Sequence, residues 1–302
     1  MNEHRLPTTI PEYLAHLRRA LEGADPAMIQ DALYDAEEYL RSELAEHPER
    51  SEAEVIAAVA SSYGAPDEVA DIYRDTEVKV ETALRAPKPA PRDSWLGRFF
   101  GVAADPRAYA SLFYMILTLA TGIFYFTWVV TGLSVSLGLA VLIIGVPFVI
   151  LFFGSVRILS LVEGRLVEVM LGERMPRRPL YAVRGRGIVQ RIGDMFTDPR
   201  TWSTLFYMLL MLPLGIVYFS IAVTLGSASL AMLLAPLALL PGVEFSVWLF
   251  GLDIARDAAW LLPLVSVVGA LLLFVTLHVA RTVGRAHALL AKHLLVKTAQ
   301  YA

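Results

Sequence analysis

Cysteine is missing from the 302 residues, which excludes disulfides, thiolate-bound metals and thiol nucleophiles. Histidine is scarce. Six are scattered along the chain, and His287 and His293 stand six apart, off a common helix face, so they read as interfacial or solvated side chains. No glycine-rich phosphate loop, kinase nucleotide-binding segment or zinc helix occurs. The sequence therefore assigns no catalytic residue, no metal ligand, no cofactor and no direct nucleic-acid contact. The first 20 residues lack the continuous apolar core of a secretion signal, so the amino-terminal region is expected to stay in the cytoplasm. Charge is missing more locally. Asp, Glu, Lys and Arg are absent from residues 108–156, 201–243 and 258–280, and each stretch exceeds the ~20 apolar residues that cross a bilayer.

What fills those stretches is partly written twice. DPRAYASLFYMILTLATGIFYF, residues 105–126, and DPRTWSTLFYMLLMLPLGIVYF, residues 198–219, share 13 of 22 positions. The 49 uncharged residues 108–156 would make a helix of ~73 Å, more than twice the hydrocarbon thickness, so they fold as a hairpin. Thr131, Gly132 and Ser134 are the expected turn, between spans near 109–131 and 135–157. The second hairpin carries about 27 extra residues, because Gly164-Arg165 aligns with Gly284-Arg285 at an offset of 120 rather than 93. Its spans are expected near 203–225 and 260–283. The apolar run Leu230–Leu240, broken by Pro236, reads as a re-entrant or outer-surface element. Pro147 and Pro213 are expected to kink their helices.

Basic residues orient the bundle. Nine Lys and Arg lie between Arg157 and Arg200, and Arg281, Arg285, Lys292 and Lys297 follow the last span, whereas residues 226–260 hold only Arg256. Both termini and the central loop are therefore expected in the cytoplasm, with four spans and two hairpins related by an axis along the membrane normal. The fold class is all-α, a small soluble helical bundle followed by a membrane domain of two tandem hairpins.

Residues 1–85 differ in kind, with 19 acidic against 8 basic side chains, a net of −11. Ile10, Tyr13, Leu14, Leu17 and Leu21 have helical spacing. Asp25-Pro26 opens a second helix with an apolar stripe of Ile29, Leu33, Ala36, Leu40 and Leu44 and an acidic face of Asp31, Asp35 and Glu38. Ser51 with Glu54 forms a capping box, Gly64 offers a left-handed stop, and Pro66 restarts a helix carrying Val69, Ile72 and Tyr73. From residue 86 to 97 the text APKPAPRDSWLG reads as a semi-rigid, extended spacer and as the domain boundary. Trp95, Phe99 and Phe100 follow, suited either to the membrane surface or to packing against the bundle.

Three groups of residues are candidates for function. Glu244, Trp248, Asp253, Asp257 and Trp260 lie in the outer insertion, where acidic and aromatic side chains suit a cation, a cationic peptide or a lipid headgroup. Tyr114 and Tyr207, with Tyr125 and Tyr218, occupy equivalent positions in the two copies and could line a cavity between the hairpins. The acidic Asp31, Asp35 and Glu38 could dock on the basic loop of Arg174, Arg177, Arg178, Arg184 and Arg186, or on a separate basic protein. Asp105-Pro106-Arg107 and Asp198-Pro199-Arg200 read as helix starts, with Asp as cap and proline in the first turn.

Residues 10–76, through YLAHLRRAL, SEAEVIAAV and YGAPDEVADIY, resemble the HAAS-type bacterial signalling domain. Residues from about 99 to 297, through TGIFYF, PLGIVYF, IIGVPFVI, LVEGRLVEVMLG and DPRTW, resemble a four-helix sensor domain of bacterial membrane signalling proteins. One departure is Glu163-Gly164-Arg165, where the family pattern places Glu beside Arg. The resemblance implies a multi-pass protein of the bacterial inner membrane, and the lack of catalytic motifs points to a non-enzyme. It would couple an envelope or bilayer stimulus to a cytoplasmic regulatory partner, such as a PadR-type regulator, with the lipid bilayer as its other partner. A homo-oligomer is compatible with this reading. A small transporter or a membrane scaffold is the alternative, the first weakened by the lack of charge inside the expected spans.

Overall fold

The structure, a computed structural model, describes residues 7–84, 94–139, 145–176, 197–240 and 251–296, together with 193, 248 and 249. Among these the regular secondary structure is helical except for a two-stranded ribbon, Trp248–Leu249 paired antiparallel with Leu252–Asp253. The expected all-α class holds.

Four short helices form the amino-terminal unit: α1 (Ile10–Ala20), α2 (Pro26–Glu46), α3 (Glu52–Ser62) and α4 (Pro66–Leu84). Their boundaries follow local chemistry. Asp25 caps α2 by accepting from the Ala27 amide at 2.8 Å, and Ser51 and Glu54 make a reciprocal capping box on α3. Gly64 takes a φ of +120°, which a side chain would strain. Tyr13, Leu17, Leu21, Leu40 and Ile56 are fully enclosed. The α2 stripe is rotated from the expected one: Met28, Ala32, Ala36 and Leu40 are buried, while Ile29, Leu33 and Leu44 only border the core. Ile72 is exposed, and Ala70 takes the core position on α4.

After the short helix α5 (Trp95–Phe100), four long helices carry the apolar text: α6 (Pro106–Leu139), α7 (Gly145–Leu171), α8 (Pro199–Leu233) and α10 (Leu262–Leu295). A single turn, α9 (Ile254–Asp257), precedes the last. Each of the four is long and apolar enough to cross a membrane, and they make the chain a multi-pass membrane protein. At 34 or 35 residues, α6, α8 and α10 extend to ~51 Å, so they tilt or project beyond a ~30 Å hydrocarbon layer.

The extra length corrects the expected turn. α6 continues through Thr131, Gly132 and Ser134, because Gly132 is a packing site: a Cβ there would lie 2.0 Å from the Phe152 ring. Trp128 Nε1 donates to Ser155 Oγ at 2.9 Å across the same α6–α7 contact. Pro147 lies at the amino-terminal end of the described part of α7, and Pro213 lies inside α8. The run Leu230–Leu240 is split, its first part ending α8 and its second forming a 3-10 turn at Ala235–Leu239.

α6 and α8 make the most extensive contact. They meet at glycines in matching positions of the two copies: a Cβ on Gly122 would lie 2.5 Å from the Met211 carbonyl oxygen, and one on Gly215 would lie 2.5 Å from that of Thr118. α10 packs against both, and α7 lies chiefly on α6. Asp105 at the start of α6 pairs with Arg281 of α10 at 3.2 Å, and Asp198 at the start of α8 meets Arg157 of α7 at 4.0 Å. Both aspartates also accept from the amide two residues on, which supports their capping role.

Candidate functional site

Glu163, on α7, is fully buried. Leaving a carboxylate unsolvated costs several kcal/mol or more unless donors replace the water, and three phenols do so. Tyr114 of α6 donates to Oε1 at 2.6 Å, Tyr207 of α8 to the same oxygen at 3.0 Å, and Tyr125 of α6 to Oε2 at 3.0 Å. His287 of α10 closes the group, its Nε2 lying 2.7 Å from the Tyr114 hydroxyl and 2.9 Å from that of Tyr207. The Tyr218 ring meets the imidazole edge-on, with centroids 5.6 Å apart. All four long helices contribute to this one cluster.

Proton bookkeeping fixes its simplest state. With all three hydroxyl protons given to the carboxylate, the oxygens of Tyr114 and Tyr207 can only accept, so His287 donates from Nε2. Its Nδ1 is buried and has no hydrogen-bond partner among the described residues.

The matching copies thus bring Tyr114 and Tyr207 together, as their equivalence suggested, but around a carboxylate and an imidazole. His287 is 1 % exposed, which corrects its reading as an interfacial or solvated side chain. Glu163 was masked by an expected span end near residue 157, whereas α7 runs on to Leu171. The available signal was spacing. Glu163 lies eight residues before the end of α7, as His287 does before the end of α10, while Tyr114 and Tyr207 each lie eight residues after a helix start.

A second charged region joins the amino-terminal unit to the long helices. Lys292, five residues beyond His287 on α10, donates to Asp25 Oδ2 at 2.6 Å and pairs with Glu173. Arg174 pairs with Glu77 and meets Asp31 at 3.5 Å. Asp31 is buried, and Ala27 joins the same apolar cluster as Leu295 and Val296. A cleft of about 570 Å³ opens beside these pairs, lined by Asp25, Met28, Arg74, Glu77, Gly172 and Arg174 among others. Of the other expected docking residues, Asp35 turns inward to accept from Tyr73 at 2.7 Å, and Glu38 is half-buried. Burial, followed by that bond, pushes the Tyr73 phenol above its ordinary range. Arg177, Arg178, Arg184 and Arg186 lie outside the described residues.

The insertion between α8 and α10 is less uniformly open than its composition suggests. Trp248 and Trp260 are exposed, but Asp253 is buried, accepting from the Ala255 amide at 3.2 Å as the cap of α9. Asp257 accepts from the Asp253 amide at 3.2 Å, and Glu244 lies outside the described residues. Trp95 is exposed, while Phe99 stacks on His278 and its carbonyl lies 3.0 Å from that ring's Nε2. No group of three or more metal-ligating side chains occurs among the described residues.

No curated protein and no solved structure matches the chain. A family model described as "Putative sensor" matches residues 114–295, from the first tyrosine of the buried cluster to the end of α10. The match spans more than half of the chain, and the chain belongs to this sensor family.

Proposed function

We propose that the protein is a non-enzymatic signalling component of a bacterial inner membrane, with both termini in the cytoplasm. It couples a stimulus at the envelope or in the bilayer to an amino-terminal protein-interaction domain of HAAS type. One observation carries this reading: the helices that share the buried Glu163 cluster also hold the acidic amino-terminal unit, through Lys292 to Asp25 and Arg174 to Asp31 and Glu77. A change in packing around the cluster has a five-residue path along α10 to that clamp. The partner is a cytoplasmic regulatory protein, for which a PadR-type regulator suits the HAAS resemblance. Capture of a tagged candidate regulator by the full chain in membranes tests the reading. Lys292→Glu should increase capture, and a chain lacking residues 1–85 should capture nothing. Capture indifferent to both changes would reject it.

The buried carboxylate favours a second reading, a small transporter, because ionisable side chains inside membrane bundles commonly mark ion pathways. Saturable substrate flux in liposomes, unaffected by loss of residues 1–85, would promote it.

A further inference from the structure

The cluster as drawn carries one negative charge, on Glu163, and no Lys or Arg contacts that carboxylate among the described residues. Facing it are Tyr114 and Tyr125 from α6, Tyr207 from α8 and, through the phenols, His287 from α10. On α7 itself the neighbouring charges Arg165 and Glu168 pair with each other. A buried net charge in a low-dielectric bundle has one inexpensive remedy, the uptake of a proton. Two seats exist for it: a carboxyl oxygen of Glu163, and Nδ1 of His287, which is buried without a partner among the described residues.

We propose that Glu163 and His287, bridged by Tyr114 and Tyr207, form a binding site for one exchangeable proton, and that its occupancy is the signal passed along α10 to Lys292. This inference rests on the sensor reading above and names its stimulus.

The step balances without any co-reactant. A hydronium ion gives its proton to Glu163 Oε1 and leaves as water, and the new O–H donates to the Tyr114 oxygen. The Tyr114 hydroxyl then turns from the carboxylate to His287 Nε2, which gives its proton to a water and becomes an acceptor, while a hydronium ion protonates Nδ1, so one proton is taken up in all. If the proton instead settles on Nδ1, the product is an imidazolium facing the carboxylate through two phenols. On the first route the Tyr114–His287 bond is kept in reverse but the Tyr207 oxygen loses its N–H donor from α10, so acid loosens the link between α7 and α10. Lys292 lies one and a half turns further along the same helix, ~7.5 Å away along the axis.

The test uses the full chain in lipid, whose lack of cysteine makes Ala27→Cys a clean reporter of the covered face between the amino-terminal unit and α10. Infrared difference spectra from roughly pH 4 to roughly pH 9 should show a carboxyl or imidazole transition that Glu163→Gln abolishes. Tyr125→Phe, which keeps both proton seats and guards against a misfolded Gln variant, should retain the transition with a moved midpoint. Maleimide labelling at Ala27→Cys should quicken several-fold as pH falls through that transition, and not in the Glu163→Gln background. No transition lost in Glu163→Gln or His287→Gln overturns the proton site. Labelling that ignores pH, yet quickens with Lys292→Glu, overturns the proton as stimulus and leaves the docking reading standing. Labelling unmoved by Lys292→Glu means the docking reading itself has failed.

Discussion

Tyr207 and Tyr218 show how much a single hydroxyl decides in this bundle. Both are phenols on α8, but Tyr207 donates to a buried carboxylate whereas Tyr218 offers the imidazole only its ring. Tyr207→Phe is expected to destabilise the full chain by about 1–3 kcal/mol, the usual cost of removing a bond to a charged, buried group. Tyr218→Phe should stay within about 0.5 kcal/mol. Unfolding in a denaturant series, followed by circular dichroism in mixed micelles, measures both. Equal losses would mean that the Tyr207 hydroxyl contributes no more than that of Tyr218. The phenols were legible because Tyr114 and Tyr207 stand at the same place in two copies of one text. Their partners were not. Under the offset of 120 that relates the later helices, Glu163 aligns with Val283 and His287 with Val167, so neither polar residue is repeated.

Among the elements, α6 and α8 depend on the absence of two side chains. Gly→Ala in an exposed helix gains about 1 kcal/mol from propensity, yet at Gly122 or Gly215 the added methyl meets a carbonyl oxygen at 2.5 Å. Those two substitutions should therefore destabilise, by about 1–3 kcal/mol. Gly138→Ala and Gly226→Ala, which meet open space, should be neutral or stabilising. Stabilisation at Gly122 would show that the helices do not touch there. Helix starts were the most legible feature of the fold, since Asp25, Ser51 and Asp198 carry their caps in the text. Helix ends were not. Residues 131–134 look like a turn because glycine next to threonine and serine is written alike for a loop and for a crowded helix face, and only the Phe152 ring distinguishes the two.

For the whole molecule, the basic loops predict one sidedness. Single cysteines placed at Ala182, Ser246 and Ala299 should react with an impermeant maleimide in intact cells only at Ser246. Reaction at Ala299 would require an odd number of crossings. The placement of the amino-terminal unit could be read only in outline. Opposite net charge suggested docking, yet which acids would meet which bases depends on where α7 ends and how far α10 projects, and both helices outrun their apolar text.

Asp25 divides its two oxygens between two tasks, Oδ1 to the Ala27 amide at the start of α2 and Oδ2 to Lys292. Breaking the second leaves the first, so under the proposed function the unit could leave the clamp, once the Arg174 pairs also open, without uncapping α2. Once detached, it would stay joined to the long helices through the same chain, at an effective concentration of roughly millimolar next to the surface it had left. A soluble competitor for the same face, present at about micromolar concentration, begins at a disadvantage of roughly a thousandfold, or about 4 kcal/mol. Under the proposed function, such a competitor would gain the face only when the membrane domain gave up comparable free energy at the clamp, and the tether would set a threshold below which weak stimuli go unanswered.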